Sequence, residues 1–259
     1  MTQTSQLSKL EQELYECMIQ SISEINISEK IGIAFSGGVD SSLLAKIVND
    51  LGYKTTLLTM GFKNSHDVNF SKKISKSLDL EHKTLLIGEK TFPQIIEKIH
   101  NTIKTDNLSW NENCIAFYYI AKLAKKHGIK LVLTANGIDE LFCGYNAYRG
   151  AISQSEHIVK KMMETKLKNE ISMMKAVNLI ASEFEVSITQ PFLTEKFIQF
   201  AKKIPIDEKI KDANDMIRKH IVRKIALAIG IPHEAALQRK KAMQYGSSIH
   251  KNLIKIRKI

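Results

Sequence analysis

The residues of this chain best suited to chemistry are Ser36, Gly37, Gly38, Val39, Asp40, Ser41 and Ser42, which put two glycines, three hydroxyls and an acid in one short run. Gly37 and Gly38 carry no Cβ, so the backbone there can turn its amide hydrogens against an anion. The serine hydroxyls add donors at the same place. A plainer reading is N-capping, with Asp40 or Ser41 satisfying the free amides of a helix start. The length of the string favours an anion site over a bare cap. It is not the G-x-x-x-x-G-K-[ST] loop, whose spacing and lysine are missing.

Two further clusters carry charge. Asp139 and Glu140 lie in TANGIDELFCGY, from Thr134 to Tyr145. As helix-start acids they would interact with the helix dipole, an effect under about 1 kcal/mol. As hard oxygen ligands they would hold Mg²⁺ opposite phosphate. Their place directly after a strand, at the same sheet edge as the glycine run, favours the second reading. Arg239, Lys240 and Lys241, in LQRKKAMQYGS, read either as a solvated charge run or as cations brought over a triphosphate to stabilise transition-state charge. The sequence leaves both open.

These clusters need elements to position them. Ile31, Ile33, Ala34 and Phe35 form the apolar run of a parallel strand covered on both faces, and SLLAKIVNDLG from Ser42 reads as the helix that follows the turn, ending at Leu51. A helix over Leu7 to Ile22 precedes them. Strands then read at Lys54 to Met60, His82 to Ile87 and Lys130 to Thr134, with helices around Val68 to Leu78, Pro93 to Ile103 and Asn113 to His127. The stretch KTDNLSWNEN reads as a polar connection. Alternation at this spacing predicts an α/β fold, a doubly wound parallel sheet with ligands at the carboxyl ends of its strands. Beyond Tyr148 strand patterns nearly vanish, so the C-terminal half reads as helical, broken at Pro191, Pro205 and Pro232.

Composition sets outer bounds. The 259 residues, 44% of them hydrophobic, suffice for one large domain. No run approaches the roughly 18 apolar residues of a membrane span, and the N-terminus lacks signal-peptide blocks, so a soluble, cytoplasmic protein is expected. Cys17, Cys114 and Cys143 are too scattered for a redox or zinc pattern and read as reduced and structural. The histidines show no metal-binding spacing either. A net charge of +11, concentrated from Lys202 to Lys258, allows a nucleic-acid partner. The absence of interleaved aromatics argues against one.

The glycine run resembles the SGGxDSS loop of the ATP pyrophosphatases, which cleave ATP between the α and β phosphates and activate a substrate as its adenylate. The order SGGVDSS at Ser36, ANGIDELFCGY at Ala135, QPFLTEKFIQFAKKIP at Gln190 and RKK at Arg239 is similar to the synthetase domain of the asparagine synthetases across nearly the whole chain. The resemblance implies an adenine nucleotide alpha hydrolase-like sheet in a single domain over 1–259. Its parts are a leading helix at 1–28, a nucleotide-binding α/β core at 29–150, and a helical part at 151–259 that completes the active site. It implies ATP and Mg²⁺ as cofactors. Ser36 to Ser42 would bind the ATP phosphates, and Phe35, Met60, Thr134 and Ala135 would line the nucleotide pocket. Asp139, assisted by Asp40, would carry Mg²⁺ and pyrophosphate, and Lys241 would stabilise adenylation and amidation. The implied reaction converts aspartate through β-aspartyl-AMP to asparagine.

Departures from that pattern bear on the substrate. Asn136 replaces the acid of the G-E-G-x-D-E segment and Ala135 its first glycine. Asn136 therefore occupies a catalytic position, but an amide hydrogen-bonds without serving as a general base. Thr189 and Thr194 stand where the family has an arginine and an acid around P-F-L. Aspartate specificity is therefore open while ATP cleavage is supported. Glutamine-using members begin with a glutaminase domain whose nucleophile is a cysteine exposed after the initiator methionine. With Thr2 at that position, free ammonia or a separate glutaminase subunit is the expected nitrogen source, and a homodimer is compatible. The competing readings are an ATP-pyrophosphatase-type tRNA-modifying enzyme, motivated by the charge, and a nucleotide-binding protein without turnover, motivated by Asn136.

Overall fold

The computed structural model describes residues 7–27, 30–239 and 241–257. The first helix, α1 (Lys9–Ser23), is fixed by a reciprocal cap: the Glu11 amide donates to Ser8 Oγ at 3.4 Å and the Ser8 amide to Glu11 Oε2 at 2.8 Å. There follow β1 (Ile31–Ala34), α2 (Val39–Asp50), β2 (Thr55–Gly61), α3 (His66–Ser77), β3 (Glu81–Leu86) and α4 (Phe92–Ile103). After these come α5 (Leu108–Lys126), β4 (Leu131–Leu133), α6 (Ile138–Leu141), α7 (Ala147–Ile152), α8 (Glu156–Ser182) and β5 (Ser187–Thr189). The last elements are α9 (Glu195–Lys203), α10 (His220–Ala228), α11 (His233–Ala236), α12 (Met243–Gly246) and α13 (Ile249–Arg257). No helix among the described residues is long and apolar enough to cross a membrane.

All strand pairings are parallel, in the order β3-β2-β1-β4-β5. The chain winds outward from β1 to β3, then returns to the other side of β1 to place β4, so β1 and β4 flank the point where the winding reverses. Alternate side chains divide the interior in two. Ile31, Ile33, Leu57 and Leu133 face one apolar cluster with α1, α2 and the helices after β5. Leu58, Met60, Val132 and Ile188 face the other, built on α4, α5 and α8. Both faces of the sheet are thus covered, as the doubly wound reading requires.

Two expectations are corrected. The stretch read as a polar connection is already helical from Leu108, because Asn107 Oδ1 accepts from the Trp110 amide at 3.2 Å and caps α5 five residues before the expected Asn113 start. The half read as almost strand-free contributes β5 to the sheet edge. That strand is short: the Ser187 amide bonds Lys130 O at 2.8 Å, and the Asn178 carboxamide bonds both the amide and the carbonyl of Ile188 at 2.9 Å. Three residues held by one side chain leave no alternation to read.

Candidate functional site

The glycine turn after β1 folds on its own hydroxyls. Gly37 has φ +81°, and a Cβ there would lie 3.0 Å from Phe70 and 3.1 Å from the Ser71 Cα, so the turn needs glycine for both conformation and space. Ser36 donates its amide to Ser41 Oγ at 3.3 Å, Ser41 Oγ donates to Gly38 O at 3.2 Å, and Ser42 Oγ to Gly37 O at 3.3 Å. Gly38 is the N-cap of α2 and offers no side chain to its first amides. Those donors therefore open onto the space beside the turn, an arrangement suited to an anion. Behind the turn, Thr59 Oγ1 donates to Phe35 O at 2.6 Å and meets His82 Nε2 at 2.8 Å. Burial, reinforced by the Lys72 charge, holds the His82 imidazole down to about 4, so it is neutral at pH 7.

The turn after β4 is built from charge. Gly137 caps α6, with its amide donating to Glu140 Oε2 at 3.1 Å, and Glu140 also accepts the Tyr145 hydroxyl. Asp139 projects from the same helical turn and meets Lys219 Nζ at 2.5 Å. The same ammonium lies 2.5 Å from Asp40 Oδ2, so one lysine joins the acids that follow β1 and β4. Lys219 is 1% exposed and takes a left-handed backbone, φ +55°, at the start of α10. Gly144 makes the approach feasible: a Cβ there would fall 1.8 Å from Asp139 Oδ1 and 2.4 Å from Lys219 Cε.

A shell of groups holds Lys219 in place. Asp215 accepts from the Ile217 and Arg218 amides at 3.0 and 2.9 Å, from the Lys211 amide at 3.0 Å, and contacts His220 Nε2 at 2.6 Å. Burial pushes the Asp215 carboxyl up, but the Arg218 and Lys211 amides and the His220 ring outweigh it and hold it down to about 2. Arg218 reaches Gly144 O, and the Lys219 amide donates to Lys209 O at 2.6 Å. Lys209 is wholly buried beneath, its Nζ donating to Ala201 O at 2.6 Å. Burial lowers its ammonium to about 8.

Between the two turns lies a cavity of about 230 Å³. Phe35, Ser36, Asp40, Ser41 and Met60 line it from the β1 and β2 side, and Thr134, Ala135, Asn136 and Asp139 from the β4 side. Lys241, an exposed side chain ahead of α12, closes it from the C-terminal segment. Gly38 and Val39 line a smaller adjoining recess with Lys219, Arg223 and Lys241. Gly37 and Ser42 line neither and instead brace the turn. Lys240 and Lys258, part of the basic runs in the sequence, lie outside the described residues. Cys114 and Cys143 are buried, which pushes both thiols up to about 12 and keeps them protonated.

Sequence reasoning missed Lys219 and Glu170. Lys219 sits in a basic stretch that reads as solvated, yet Lys209, Arg218, Lys219 and Arg223 are all buried. No local pattern marks them. Glu170, on α8, lines the cavity and accepts from Asn136 Nδ2 at 2.5 Å, while the Thr134 hydroxyl donates to Asn136 Oδ1. Here a signal existed, since Glu170 falls in register with the buried face Met163, Leu167, Met174 and Val177.

Among the described residues no three His, Cys, Asp or Glu side chains cluster as a metal site. Asp40 and Asp139 offer two hard oxygen donors already joined by a cation, and Asp40 Oδ1 is buried with no hydrogen-bond partner among the described residues. Such a pair fits Mg²⁺, which takes one or two carboxylates and completes its shell with water and substrate phosphate.

The asparagine synthase family profile matches residues 23–186 and 151–258. A putative asparagine synthetase [glutamine-hydrolyzing] 1 of Methanocaldococcus jannaschii is 29% identical over 269 residues, covering 89% of this chain and 48% of that protein. The asparagine synthetase [glutamine-hydrolyzing] of Triphysaria versicolor is 26% identical over 204 residues, covering 74% of this chain and 35% of that protein. The chain thus spans at most about half the length of these relatives. A solved structure of a predicted subunit of tRNA methyltransferase from M. jannaschii covers 83% of this chain and 94% of its own at a TM-score of 0.36 and 17% identity, too loose a likeness to carry weight.

Proposed function

The chain belongs to the asparagine synthase family, and on that premise we propose that it is an ATP-dependent, AMP-forming amide ligase, with asparagine from aspartate and ammonia as its leading product. The observation that carries the reading is the meeting of Asp40 and Asp139 on the buried Lys219 ammonium, beside the α2 start, whose first amides no side chain caps. Phosphate-transfer chemistry leans on fixed positive charge rather than on covalent steps by the protein. In this reading Ser36 to Ser42 cradle the phosphates, and Phe35, Met60, Thr134 and Ala135 flank the nucleotide. Asp40 and Asp139 would hold Mg²⁺, which supplies neutralising charge to the departing pyrophosphate.

The remaining work falls to the chain's own cations. Lys219, held between Asp40 and Asp139, would place an ammonium at the junction of the two turns. Lys241 approaches from the more exposed side and suits a role in meeting charge that develops on the acyl group. Burial raises the effect of Lys219, because water is excluded from around its ammonium. The test is pyrophosphate and AMP release from ATP and Mg²⁺ with ammonium, aspartate added or omitted, and amino acids identified by mass spectrometry. Asparagine formed only with aspartate is the expected result. Pyrophosphate release dependent on a different carboxylate would retain the ligase and discard aspartate; release dependent on no carboxylate would overturn both.

A further inference from the structure

Resting on the amide-ligase reading, we propose that Lys166 and Asn169 of α8 form the subsite for a second anionic group on the acceptor, distinct from the carboxylate that is activated. The cavity has two ends. The β1 and β4 turns make one, and α5 and α8, which pack against each other, make the other, with Ser109, Asn113, Lys166 and Asn169 on its wall. An acceptor whose reacting carboxylate meets the nucleotide at the first end extends its remaining groups toward the second, where a few polar side chains fix its orientation.

The α8 wall offers donors. The Lys166 ammonium stands 4.7 Å from the centroid of the Tyr145 ring, a cation–π contact with a ring whose hydroxyl is tied to Glu140. Lys166 is half-buried and makes no ion pair among the described residues, whereas Lys160, Lys161, Lys168 and Lys175 on the same helix are exposed and line no part of the cavity. Asn169, three residues on, accepts the Trp110 indole N–H at 3.0 Å. An indole nitrogen only donates, so the atom facing it is the carboxamide oxygen, and the Asn169 NH₂ is the end left for another partner. An ammonium and an amide donor three residues apart share one helix face and suit a carboxylate. Glu140 and Glu170 line the same cavity and oppose a bare anion. The acceptor that fits therefore carries an ammonium beside its second carboxylate, as an α-amino acid activated on its side chain does.

The test crosses variants with ligands in ATP–pyrophosphate exchange. Wild-type protein, Lys166→Met and Asn169→Asp are compared on aspartate and glutamate, and on isoasparagine and isoglutamine, which keep the ammonium and the side-chain carboxylate but carry an α-carboxamide in place of the α-carboxylate. The wild type should favour each acid over its amide by about 10-fold or more, chiefly in KM. In Lys166→Met, which keeps the apolar stem and removes the charge, that preference should shrink to within about 3-fold. Asn169→Asp, which still accepts from Trp110 but sets a carboxylate against the anion, should weaken or reverse it. KM for ATP should stay within about 3-fold of wild type in both variants. Full preference retained in Lys166→Met, or an equal loss on acid and amide, would overturn the proposal. Wild-type exchange indifferent to the α-carboxylate, or supported only by carboxylates lacking a second anionic group, would overturn it too while keeping the ligase. Absence of carboxylate-dependent exchange in the wild type would instead overturn the ligase reading, and the proposal with it.

Discussion

The turn after β1 and the turn after β4 bound the same cavity and are built in opposite ways. The first is local: its donors are backbone amides and the hydroxyls of Ser36 and Ser41, arranged by hydrogen bonds that span five residues or fewer. The second is assembled at long range, with Glu170 coming from α8 and Lys219 from the start of α10. Asp40 apart, the cradle is neutral, and dipoles cost little to bury once their donors are fixed. A cluster of ions costs several kcal/mol per charge unless each meets its opposite. The two sides should therefore respond differently when a single group is removed.

The sharpest break comes at Lys219. Lys219→Met would leave Asp40 and Asp139 facing each other without their shared cation, and we expect a loss of about 3–5 kcal/mol in urea unfolding. Adding Asp139→Asn to that variant should recover part of the loss, because one of two opposed charges disappears. A cost below about 1 kcal/mol for Lys219→Met would mean that water screens the pair and that the β4 side is not a desolvated network.

Acid should reach the same network through its support. Asp215 has a folded carboxyl held at about 2 against an ordinary value of 3.8. A depressed acid contributes stability that is fully present above its unfolded value and is lost as pH falls from about 4 toward about 2. Stability measured against pH should therefore fall through that window, and Asp215→Asn should flatten the fall while lowering stability at pH 7. An unchanged slope in the variant would show that the Lys211 to Lys219 segment is not organised by this carboxylate.

On the β1 side the largest effect should come from Gly37. Gly37→Ala meets both a left-handed backbone and a crowded wall, whereas at Gly52, with φ +85°, an added methyl would have nothing within 4 Å. The backbone term alone is about 1–2 kcal/mol, so Gly52→Ala should cost about that and Gly37→Ala clearly more. Equal costs would mean that Phe70 and the Ser71 backbone yield freely and that the turn is less tightly framed than the β4 side.

The same contrast explains what could be read in advance. The glycine run declares itself because it is made of consecutive residues in a backbone geometry that only certain residue types allow. Four of the five strands are legible, β1 from a buried apolar run, Ile31 to Phe35, and the edge strand β3, exposed or half-buried along its length, from its place in the alternation of strands and helices. Asp139 is legible as a strand-end acid. Its partner is not, because nothing in RKHIVRK distinguishes a lysine that will be buried from one that will be solvated. Glu170 is an intermediate case: an acid in an apolar register is a readable conflict between pattern and type, but Asn136, whose carboxamide it accepts from, is 34 positions earlier.

The smallest effect, and the most discriminating, is expected at Ser41. Its hydroxyl accepts from the Ser36 amide at 3.3 Å and donates to Gly38 O at 3.2 Å, lengths at the weak end of the hydrogen-bond range. Ser41→Ala should therefore cost only about 0.5–1 kcal/mol of stability. If the cradle holds phosphate in the ground state and the transition state alike, the variant should raise KM for ATP several-fold while leaving kcat within about 3-fold. In the ligase reading, Lys219 and Asp139 variants that fold should show the reverse, a lower kcat with KM less affected, because their charge would answer charge that develops during the reaction. A Ser41→Ala enzyme with an unchanged KM and a depressed kcat would erase that division, and the two turns would then have to be treated as one electrostatic unit.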